Sequence, residues 1–101
     1  MIVDWKPDAL AELVDHVEDY AKRRDPLTAY RVFDEVIERA RMLGDHPDIG
    51  RGGRMRGTRE LVLTGTPFIL VYRQPADTVE ILRVLHGARQ WPPGKKDEKR
   101  E

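Results

Sequence analysis

The chain has 101 residues, 40% hydrophobic and 36% charged, with 18 basic against 18 acidic side chains. That composition belongs to one small globular domain, and its longest apolar run, residues 68–72, is far below the ~20 residues of a membrane span. Cys, Ser and Asn are absent, which excludes disulfides, thiolate metal sites and Ser or Cys nucleophiles.

The zero net charge hides a gradient. Residues 1–50 hold 7 basic and 12 acidic side chains, residues 51–101 hold 11 and 6. The basic half is rich in Arg, whose planar fork suits phosphate and carboxylate, although an excess this small also describes a solvated face. The N-terminus has neither a basic n-region nor an apolar h-region, so a cytoplasmic location is expected.

Residues 2–5 form a short apolar stretch that predicts a strand. Pro7 then suits the first turn of a helix, and Leu10, Leu13, Val14, Val17, Tyr20 and Ala21 recur at three- and four-residue spacing, predicting an amphipathic helix over residues 7–23. His16 lies among Glu12, Asp15 and Asp19, which reads as a polar helix face rather than a metal cluster. Asp25-Pro26 is an N-cap followed by Pro at N1, opening a second stripe through Ala29, Val32, Phe33, Val36, Ile37, Ala40 and Leu43, with Gly44 as its C′ residue. Two helices joined by so short a turn make an antiparallel αα-hairpin.

Residues 45–58 are dense in Gly and Arg and predict a loop leading into a short basic strand near 53–56. They lack the spacing of a phosphate-binding GxxxxGK[ST] loop. Three strands follow, at 60–64, 68–73 and 78–86, separated by turns at 65–67 and 75–77. Strict alternation places Arg83 with Ile81 and Leu85, opposite Glu80, Leu82, Val84 and His86. The predicted fold class is therefore α+β: an N-terminal strand and an antiparallel αα-hairpin packed on one face of a small, mainly antiparallel sheet. One domain is expected over residues 1–93, with 94–101 a charged disordered tail.

Trp5-x-Pro7, Gly57-Thr58-Arg59-Glu60-Leu61, Tyr72-Arg73 and above all the block from Val79 through Gly87-Ala88-Arg89-Gln90-Trp91-Pro92 resemble the RelE/ParE superfamily of small bacterial toxins, and within it the ParE branch. The resemblance covers about residues 1–93. It implies the toxin of a type II toxin–antitoxin, or plasmid-stabilisation, module: no cofactor, no metal, no membrane and no sequence-specific DNA binding by the toxin alone, with an antitoxin as partner. For the ParE branch it also implies DNA gyrase as target and no chemistry on the toxin.

RelE-like members are instead ribosome-dependent mRNA endonucleases that use basic residues. Aligned through Val71-Tyr72 and Gly87, their lysine and arginine positions fall here on Glu60, Val62 and Ile69, none of them basic, and their C-terminal tyrosine has no counterpart. Cleaving RNA needs proton transfer and cations on the phosphate, and Arg does not readily exchange a proton. His86 with Arg89 is the incomplete remainder on which an endoribonuclease alternative rests. A non-toxic orphan interaction domain is a third reading.

The resemblance points to Arg83, His86, Arg89 and Trp91 as target-binding residues, and to Arg54, Arg56, Arg59, Tyr20, Tyr30 and Phe33 as antitoxin-binding. Each has a plainer reading beside it. Arg83 would pair with an acidic helix residue, His86 would cap the strand, Trp91 would cover the core, and the loop arginines would be solvated.

Overall fold

A computed structural model describes residues 1–87. The chain runs β1 (Ile2–Trp5), α1 (Pro7–Arg23), α2 (Pro26–Met42), β2 (Arg51–Gly52), β3 (Arg59–Val62), β4 (Phe68–Arg73) and β5 (Thr78–His86). The strands form one sheet in the order β1-β5-β4-β3-β2. β3, β4 and β5 are an antiparallel meander, and β1 pairs parallel with β5, Ile2 opposite Thr78 through Trp5 opposite Ile81. This is the α+β arrangement the sequence predicts.

Local chemistry accounts for the helix boundaries. Proline opens each helix, where its missing N–H breaks no bond. The Asp25 carboxylate accepts from Thr28 N–H at 2.7 Å and from the Thr28 hydroxyl at 2.8 Å, so the turn between the helices is fixed by the N-cap of the second. The apolar stripes of both helices lie on the sheet: Leu13, Val36, Ala40 and Leu43 bury completely against Phe68, Leu70, Tyr72, Val79, Ile81 and Val84. β4 is central and buried on both faces, apart from Arg73. Ile69, Val71 and Leu85 form a second cluster away from the main core.

Four details differ from the sequence expectation. The basic strand expected near 53–56 is a turn, and β2 is instead the pair Arg51–Gly52. Gly53 N–H donates to Thr58 O at 2.8 Å, and Gly57 at φ 80° closes a loop that a strand could not make. The next strand ends at Val62 rather than Thr64, because Leu63 N–H donates to Phe68 O and Thr66 N–H to Leu63 O, closing the turn early.

Strict alternation in β5 is also wrong. Val71 faces Arg83 while Tyr72 faces Ile81, so Leu82 is an extra, bulged residue. Ile81 and Val84 therefore share the helix-side core, and Leu85 belongs to the other cluster. Finally, Gly44 follows the helix cap without a left-handed backbone. A side chain is excluded there by space: a Cβ would lie 2.5 Å from the carbonyl oxygen of Met1.

Candidate functional site

β1 ends opposite Ile81, but β5 continues to His86, so beyond Ile81 its outer edge has no strand neighbour among the described residues. Exposed edges invite non-native pairing, and α1 closes this one. Lys6 N–H donates to Ile81 O at 3.0 Å. One turn apart on the helix, Glu12 and His16 hold Val84, three residues further along β5, between them. Glu12 Oε1 accepts from Val84 N–H at 2.9 Å, and His16 Nε2 bonds Val84 O at 3.0 Å. A carbonyl only accepts, so that imidazole nitrogen carries the proton. Glu12 Oε2 also accepts from both Nε, at 2.8 Å, and Nη2 of Arg83. This bonding raises the Arg83 pKa above its ordinary value.

These contacts form one wall of an open cleft of about 920 Å³ between α1, the turn at 65–67 and the end of β5. The His16 ring stacks on Phe68 at 5.2 Å between centroids; His86 meets Phe68 edge-on at 5.7 Å and lies 5.7 Å from His16. At the far end the Arg24 guanidinium lies over the Tyr20 ring at 5.6 Å, and Arg23 pairs with Asp19. The cleft is thus lined by rings and by three charge contacts within the chain, Glu12–Arg83, Asp19–Arg23 and Arg24 over Tyr20, with the His86 side exposed. Among the described residues no group of three or more His, Cys, Asp or Glu could hold a metal ion.

A second feature lies at the opposite edge of the sheet. Glu60 is 2% exposed, yet it carries three hydrogen bonds: from Arg54 N–H at 3.0 Å, Arg54 Nε at 3.3 Å and Arg51 Nη2 at 3.3 Å. Arg59 donates to the carbonyl oxygens of Gly50, at 2.9 Å, and Asp48. Arg56 is exposed. Beneath the loop the buried Tyr72 hydroxyl accepts from Gly50 N–H at 2.9 Å and donates to Pro47 O at 2.7 Å. Glu60 faces Val71 across the sheet and Val62 faces Ile69, so the three positions singled out in the sequence share the face away from the helices.

The structure therefore brings Arg83, His86 and Tyr20 into one cleft, places Arg54 and Arg56 in the β2–β3 loop and puts Arg59 at the start of β3. Tyr30 is 68% exposed on α2, and Phe33 is half-buried against the core. Arg89 and Trp91 lie outside the described residues. Arg83 takes the acidic helix partner weighed for it, Glu12. His16 is not on a merely solvated face, since it is half-buried and bonded to β5.

The organisers Glu12, His16 and Glu60 were not legible as such. The available signal was an i, i+4 polar pair flanking Leu13, and an acid alternating with Val62 beside a run of arginines.

The family of the ParE toxin of type II toxin-antitoxin system, parDE, matches residues 3–91. The Sinorhizobium fredii protein named "Putative toxin Y4kP" is 41% identical over 90 residues, spanning 89% of this chain and 92% of its own length. A chain of the solved structure "Chromosomal ParDE TA system from P. aeruginosa" superposes with a TM-score of 0.79 at 25% identity, over 86% of this chain and 96% of its own. The matched span takes in both helices and the sheet from β1 to β5, and on this ground the chain belongs to the ParE toxin family of type II toxin–antitoxin systems.

Proposed function

We propose that this toxin is held inactive by a cognate antitoxin in the cytoplasm and, once released, acts by binding and inhibiting DNA gyrase, with no reaction on the toxin itself. The observation that carries the reading is the face bearing Glu60, Val62 and Ile69. Where RelE-like RNases place basic groups, this chain has a buried, arginine-bonded carboxylate and two aliphatic side chains. These three side chains bring no positive charge to a phosphate, and the one carboxylate among them is buried and already engaged by Arg51 and Arg54. The paired charges and stacked rings of the cleft suit a protein partner. In this reading Arg83, His86, Arg89 and Trp91 contact the target. Arg54, Arg56, Arg59, Tyr20, Tyr30 and Phe33 contact the antitoxin, and residues 1–93 suffice for both.

The placement of His86 beside His16 and Arg83 favours the RelE-like endoribonuclease as the second reading, with His86 and Arg89 as its reactive pair. Gyrase supercoiling with purified toxin separates the two. Lost supercoiling or a trapped cleavage complex, relieved by the product of the adjacent gene, is the expected result. Unaffected gyrase, together with codon-periodic mRNA cuts that vanish in His86→Ala, would transfer the assignment to the RNase.

A further inference from the structure

Glu60 is a charged residue buried under the turn between β2 and β3, where it holds the backbone at Arg54. Burying an ion pair is expensive, and apolar side chains of similar volume commonly hold a site as well or better. Above it runs a glycine-rich segment, from β2 through the loop to the start of β3, with arginines at 51, 54, 56 and 59. Arginine forks on flexible backbone are natural ligands for phosphate, and each phosphate neutralised strengthens nucleic-acid binding through counterion release.

In this chain three of these four forks are directed elsewhere. Arg51, with its side chain 57% exposed, and Arg54 both reach back to the Glu60 carboxylate, which also holds the loop backbone at Arg54. Arg59 is turned onto two carbonyl oxygens.

We propose that Glu60 is a selectivity residue: by drawing Arg51 and Arg54 onto its own carboxylate it keeps the β2–β3 loop from binding the phosphate backbone of nucleic acid, so that the loop serves protein partners only. The inference concerns the loop alone and does not rest on the identity of the target. Its failure would leave the supercoiling result untouched.

The test is fluorescence anisotropy of the full-length chain with a labelled oligouridylate of roughly 20 nucleotides, between about 50 and 200 mM salt. Glu60→Gln keeps the size of the side chain and releases both guanidinium groups from the carboxylate. It should bind at least about tenfold more tightly than the wild type, with a log–log salt slope steeper by about 1.4, the value for two further single-strand phosphate contacts. Adding Arg51→Gln and Arg54→Gln to it should remove the gain. A folded Glu60→Gln protein with wild-type affinity and slope would overturn the proposal, as would a triple variant that keeps the tight binding.

A second arm uses exposed positions in the wild-type background and decides the matter even where Glu60→Gln does not fold. Arg56→Gln should weaken the residual binding more than Arg51→Gln does, and equal losses would overturn the proposal.

Discussion

Glu12 and Arg83, 71 residues apart, meet beyond the end of β1, and one carboxylate there performs two tasks. Through Oε1 it accepts from Val84 N–H on the edge of β5; through Oε2 it fixes the arginine at the wall of the cleft. The side chains of Glu12 and Arg83 are 25% and 28% exposed, so water weakens the pairing without removing it. Glu12→Ala leaves the Val84 N–H without its acceptor and takes a carboxylate from Arg83, and should cost roughly 1–3 kcal/mol. Glu12→Gln keeps an acceptor for Val84 and should cost less. Urea denaturation at constant m-value reads both.

Tyr72 and Gly50 form a second such joint. The Tyr72 hydroxyl satisfies Gly50 N–H and Pro47 O inside the protein, so Tyr72→Phe should cost about 1–3 kcal/mol by leaving both without a partner. Burial pushes the phenol above its ordinary pKa. A raised pKa means that the folded state holds the proton more tightly. The contribution is complete below about pH 10, where the unfolded phenol titrates, and is lost as pH rises through the folded value. Tyr72→Phe should flatten the alkaline limb of the stability curve.

Gly50→Ala tests the same joint from the other side. An added Cβ would lie 2.6 Å from the Tyr72 hydroxyl oxygen and 3.0 Å from the Glu60 carbonyl oxygen. Overpacking of this kind should cost about 1–3 kcal/mol. Tyr72→Phe removes the hydroxyl and leaves the ring carbon Cε1, 2.8 Å from the added Cβ, so the double variant should cost less than the sum of the two singles. Strict additivity in a double-mutant cycle would refute the contact.

The N-cap of α2 gives an acid-limb prediction. Hydrogen bonds from the Thr28 backbone and hydroxyl hold the Asp25 carboxyl below its ordinary pKa. A lowered pKa makes the stabilisation complete above the unfolded value near 3.9 and lost as pH falls through the folded one. An asparagine in the same place caps without titrating. The Tm gap between wild type and Asp25→Asn should therefore be constant near neutrality and change only below about pH 4. A gap that moves between about pH 5 and 7 would contradict it.

Much of this architecture is written in short-range signals. Pro7, the Asp25-Pro26 pair and the two apolar stripes fix the helices closely, and β4 and β5 follow from their apolar runs. What local pattern could not supply is the register. A bulge at Leu82 depends on how β5 meets β4, and it moves Val84, not Arg83, into line with Ile81. The parallel pairing of β1 depends on the last strand of the described chain. The cleft was half visible: Arg83 and His86 stood out within their strand, while Glu12 and His16 looked like any polar helix positions. They gain meaning only because β1, with 4 residues, is shorter than β5, with 9.

The last prediction concerns the cleft as a target-binding surface. His86 is exposed, meets the Phe68 ring in a T-shaped contact and is not part of the main core. His86→Ala should therefore keep wild-type Tm and antitoxin binding while weakening the target by roughly tenfold, the effect of losing one contact worth about 1.4 kcal/mol. Tyr30→Ala and Arg56→Ala, both exposed and away from the cleft, should do the reverse, weakening antitoxin and sparing growth inhibition. Removal of residues 94–101, which include no apolar side chain, should change neither, since exposed charges alone act only through a salt-screened field. Growth inhibition, thermal unfolding and antitoxin affinity measured on the same set of proteins distinguish a binding surface from a structural one. If every variant that loses toxicity also loses its fold, the cleft is structural, and the target contact must be sought at the β2–β3 loop.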